Sequence, residues 1–95
     1  MNIVAFYKLK PEDFDELIKK FQEVMAERET KPDKYPKVLF GPVTTGGQWK
    51  GFVVYDNPTG EQLNALIIQF KGILSIKFVP IYDVAKFIEQ YMKSK

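Results

Sequence analysis

Two stretches of the chain are apolar at every position: Ile3-Val4-Ala5-Phe6-Tyr7 and Phe52-Val53-Val54-Tyr55. A strand with one wet face alternates apolar and polar side chains, so these two read as strands covered on both sides. The first belongs to a strand over residues 2–9. Lys10-Pro11-Glu12-Asp13 then opens a helix, with proline at the first helical position and carboxylates at the positive end of the dipole. Phe14, Leu17, Ile18, Phe21, Val24 and Met25 follow at the spacing of one helical face. Asp15, Glu16, Lys19, Lys20, Glu23 and Glu27 fill the other face, and the helix is expected to run to Glu29.

Lys31–Pro36 is a connector broken by Pro32 and Pro36. Lys37–Val43 reads as a strand, Thr44–Gln48 as a hairpin loop and Trp49–Tyr55 as the returning strand. Asp56-Asn57-Pro58 turns the chain. Thr59 caps a second helix, with Gln62 as its capping-box partner. Leu63, Leu66, Ile67 and Phe70 form the stripe of that helix, and Gly72 suits its stop. In Leu74–Ile81, Leu74, Ile76 and Phe78 alternate with Ser75 and Lys77, as in a half-covered strand. Asp83 caps a last helix bearing Val84, Phe87, Ile88 and Tyr91 on one side.

The order βαββαβα over residues 1–95 predicts a single α+β domain. It is a ferredoxin-like sandwich with an antiparallel sheet of order 4-1-3-2 and an extra C-terminal helix. Proline placement agrees: Pro36 and Pro42 flank or enter the second strand and Pro80 lies in the fourth, while the first and third strands contain none. Proline cannot donate to a ladder and is confined to edges. Two helices cover one face of such a sheet. The apolar residues on its other face need a second subunit, the C-terminal helix or a flat ligand to hide them.

Composition narrows the chemistry. The chain has no cysteine and no histidine. Thiol nucleophiles, disulfides and zinc-finger patterns are out, and acid–base work would fall to a carboxylate, tyrosine or lysine shifted by burial. No metal site and no organic cofactor are expected. The net charge is only +2 and Arg28 is the sole arginine, which argues against a nucleic-acid partner and against a bidentate anion clamp. The run Ile3–Tyr7 is too short for a signal or membrane helix, so a soluble cytoplasmic protein is expected.

Lys8-Leu9-Lys10-Pro11-Glu12-Asp13, Lys37-Val38-Leu39-Phe40-Gly41, the Gly46-Gly47 hairpin leading to Gly51-Phe52-Val53-Val54, and Phe78-Val79-Pro80-Ile81 carry a resemblance. Together they resemble a small family of uncharacterised proteins in the dimeric α/β barrel superfamily. The chain departs from that family after Gly41, where Pro42-Val43-Thr44 stand in place of a frequent Trp or His. The resemblance implies a homodimer that pairs its open sheet faces about a two-fold axis. It also implies a cavity between sheet and helices in each subunit. Haem enzymes of the superfamily hold iron through histidine, which this chain lacks. Its cofactor-independent oxygenases act on quinol-like aromatics in a dry pocket.

The expected function is therefore a small dimeric domain binding an apolar or aromatic ligand. The rival is a cofactor-independent oxygenase or isomerase. Tyr7, Trp49, Tyr55, Asn64 and Tyr82 are the candidate ligand-binding residues, set against the plainer reading that tyrosine and tryptophan are core residues with a polar tip. Two other readings share the fold class. Lys50-Gly51-Phe52 matches the start of an RNA-recognition strand, but Val53, Val54 and Asn57 stand where glycine or alanine and further aromatics are expected. An acylphosphatase-like phosphate loop would need arginine where Lys10-Pro11-Glu12-Asp13 is acidic. The basic residues Lys31, Lys34, Lys37 and Lys50 read as a solvated edge.

Overall fold

The computed structural model describes residues 1–95. Four strands form one antiparallel sheet: β1 (Asn2–Lys8), β2 (Lys37–Thr44), β3 (Lys50–Asp56) and β4 (Ser75–Ile81). Three helices accompany them: α1 (Phe14–Thr30), α2 (Gly60–Gln69) and α3 (Val84–Lys93). The sheet runs β2-β3-β1-β4, which is the succession 4-1-3-2 when counted from the opposite edge. The proline-free strands are central and the proline-bearing ones are the edges. This α+β arrangement is consistent with a ferredoxin-like sandwich.

Local chemistry accounts for most element ends. Pro11–Asp13 forms a 3-10 turn, so the α-helix proper begins at Phe14 rather than at the proline. Thr59 and Gln62 form the expected capping box: the Gln62 amide donates to Thr59 Oγ1 at 3.1 Å, and the Thr59 amide donates to Gln62 Oε1 at 2.9 Å. Gln62 Nε2 also donates to the Asp33 carbonyl at 3.1 Å, tying α2 to the α1–β2 connector. Asp83 Oδ1 accepts from the Ala85 amide at 2.8 Å and caps α3.

Register sorts the side chains into two faces. Ala5 lies opposite Val53 and Phe78, and Ile3 opposite Tyr55. Ala5, Val53 and Tyr55 join Val24 of α1 and Leu66 and Phe70 of the α2 end in the core, with Leu63, Leu74, Ile76 and Phe78 at its margin. Tyr35, in the proline-broken connector, is only 1% exposed and belongs to the same cluster. Its hydroxyl donates to Glu27 at 3.1 Å, and Arg28 reaches the next carbonyl, that of Pro36, at 2.8 Å.

Candidate functional site

The second face of the sheet carries Val4, Phe6 and Lys8 of β1, opposite Val54, Phe52 and Lys50 of β3 and Val79, Lys77 and Ser75 of β4. Phe40 of β2 adds to it. The Phe52 ring stands 6.2 Å from Phe6 and 6.0 Å from Phe40, so three rings cross the sheet in a row. Phe6 is 46% exposed and Phe40 55%. No helix of this chain is buried against anything there: every residue of α3 is exposed.

At the end of this face nearest the β2–β3 hairpin lies an open groove of about 630 Å³. Phe6, Lys8, Lys50, Ser75 and Lys77 line it with the loop residues Thr45, Gly46 and Gln48. Lys8 and Lys50 are direct cross-strand neighbours, and none of the three lysines takes part in an ion pair. Like charges placed opposite one another on a sheet are mildly unfavourable. The groove thus combines an aromatic floor with uncompensated positive charge, which suits a flat anion.

The five expected ligand-binding residues do not converge. Tyr7 borders the groove, but its hydroxyl is spent on the Val43 carbonyl at 2.9 Å. Burial raises the Tyr7 pKa above the usual tyrosine value. Trp49 precedes β3 and meets Phe14 edge-on at 5.3 Å. Tyr55 is buried in the core, and that burial pushes its hydroxyl up to about 12. Asn64 borders a separate open concavity of about 430 Å³ between α2 and the connector. Tyr82 is 72% exposed, beside α3. Neither concavity is the enclosed space between sheet and helices that the resemblance implies.

Lys8 and Lys77 are not among the candidate site residues that the sequence offers, and Lys50 falls there with the lysines around β2. Their grouping depends on β1 and β4 being neighbours in a particular register. The strand pattern hints at it only through the polar alternation of Ser75 and Lys77. No helix is long and apolar enough to cross a membrane. No protein-family model, curated protein or solved structure matches the chain.

Proposed function

We propose that the chain works as a homodimeric module that lays its open sheet face against that of a second copy, in the manner of the dimeric α/β barrel proteins it resembles. The row Phe6–Phe52–Phe40, with Val4, Val54 and Val79 around it, carries this reading. Phe6 and Phe40, each about half exposed, flank the more covered Phe52 on one sheet face and form an apolar patch of the kind that marks an interface. Two such faces pack about 10 Å apart with interdigitating side chains. Light scattering across a concentration series tests it. The native chain is expected at twice the monomer mass and Phe52→Lys at the monomer mass, with an unchanged circular dichroism spectrum. A native chain monomeric at every concentration refutes the reading.

The lysine-rimmed groove supports a ligand role alongside. Lys8, Lys50 and Lys77 lie at one end of the apolar row, so pairing of the faces leaves them at the rim. We infer that this rim takes a small aromatic carboxylate, its ring on Phe6 and its charge among the lysines. Titration with 2-naphthoate, followed by amide chemical shifts, is expected to saturate and to weaken as salt rises. Loss of saturation in Lys8→Gln/Lys50→Gln supports the assignment, and shifts that never saturate in the native chain refute it.

A further inference from the structure

α3 is a helix with a greasy stripe and nothing to put it on. Val84, Phe87, Ile88, Tyr91 and Met92 fall at i, i+3, i+4, i+7 and i+8, and each is 53–69% exposed. Lys86, Glu89, Gln90 and Lys93 occupy the far side. Isolated helices shorter than about 12–15 residues are marginal in water, and α3 has 10. A helix this short persists by docking.

Its own chain does not supply the dock. Only Tyr82 and Asp83 separate β4 from α3, and Asp83 is committed as the cap. The radius of gyration is 15.6 Å and the longest extent 53 Å. A compact chain of this length would have a radius near 12–13 Å, so α3 projects as an arm. α3 leaves from edge strand β4, whereas a right-handed β1–α1–β2 crossover puts α1 toward the opposite edge, β2.

A matching surface exists on α1. Phe14, Ile18, Phe21 and Met25 form a second stripe, each 41–48% exposed. At 3.6 residues per turn this stripe lies roughly a quarter turn from the buried Val24, so it is a flank rather than the core face. Trp49 lies against its first residue. Net charge is opposite in sign over the two helices, −2 over residues 14–30 (five acidic against three basic) and +2 over residues 84–95 (three basic against one acidic); most of it sits away from the two stripes, so it adds long-range attraction rather than contacts. Complete burial of the five side chains on α3 and the four on α1 would remove at most roughly 900 Å² per docking. Two reciprocal dockings then reach at most roughly 1,800 Å², a ceiling within the range of stable interfaces.

We propose that α3 is an exchanged arm, its Val84–Met92 stripe seated on the Phe14–Met25 flank of α1 in a second copy, and reciprocally. The proposal rests on the homodimer reading and adds a contact that sheet pairing does not need. Because the chain has no cysteine, engineered thiols report the contact cleanly. An equimolar mixture of Phe21→Cys and Phe87→Cys chains is expected to oxidise to a covalent dimer containing one of each. Phe87→Glu is expected to weaken dimerisation at least tenfold while the domain stays folded, since Phe87 contributes nothing to the core. A dimer that yields no mixed cross-link, with Phe87→Glu altering its dissociation constant less than threefold, overturns the arm and leaves sheet pairing standing. A native chain monomeric at all concentrations overturns both. A chain carrying both cysteines that closes on itself as a monomer also refutes the exchange.

Discussion

The Tyr7 hydroxyl of β1 donates to the Val43 carbonyl of β2 across the intervening strand, at 2.9 Å. It passes over Gly51, where a Cβ would stand 1.8 Å from that carbonyl oxygen and 2.7 Å from the Tyr7 hydroxyl. Glycine is needed here for close approach, not for its dihedral freedom. Gly51→Ala is expected to cost about 2–4 kcal/mol, because both the clash and the lost hydrogen bond fall on it. Tyr7→Phe, which removes only the bond, should cost about 1 kcal/mol. Urea denaturation of the two variants measures both.

Tyr55 makes the fold sensitive to alkali. Its hydroxyl ionises near 10 in an unfolded chain and at about 12 in the native one, chiefly because burial disfavours the phenolate. The unfolded state therefore loses its proton first. The stability involved is fully present below pH 10 and is lost as pH rises toward 12. The loss should reach about 2–3 kcal/mol. Denaturation midpoints across pH 9–12 are expected to fall in the native chain and to fall less in Tyr55→Phe.

Gln62 serves two elements at once, closing the α2 cap and holding the Asp33 carbonyl. Thr59→Ala should cost about 1 kcal/mol, the usual effect of losing a cap. Gln62→Ala should cost at least as much. It should also speed amide exchange in the α1–β2 connector, which Thr59→Ala should leave alone. Hydrogen-exchange mass spectrometry separates the two.

Lys8 and Lys50 oppose one another and neither forms an ion pair. Lys50→Glu is expected to stabilise the domain by about 0.2–1 kcal/mol in low salt, and the gain should fade as ionic strength rises. A stabilising change that also abolishes 2-naphthoate binding would mark the pair as kept for the ligand.

Much of this architecture was legible residue by residue. Unbroken apolar runs and the positions of Pro42 and Pro80 picked out centre and edge because burial on two faces and a missing amide are properties of single strands. The caps at Thr59 and Asp83 were readable because each is satisfied within its own turn. Tyr35 was not: its burial comes from how the connector folds back on α1, and two nearby prolines mask it as loop. The lysine groove was hidden for a related reason, since cross-strand register between β1 and β4 brings Lys8, Lys50 and Lys77 together. Tyr55 and Tyr82 look alike in sequence, yet one faces the core and the other follows an edge strand.

The burial of Tyr35 has a consequence for proteases. Lys34 is exposed on the connector beside it, and by composition that segment looks like the first place trypsin would cut. A cleavable loop must peel away to enter the enzyme, and this one is pinned by its own aromatic anchor. The first scission should fall instead at Lys86 or Lys93, on the exposed α3, and the docking proposed for that helix should suppress it.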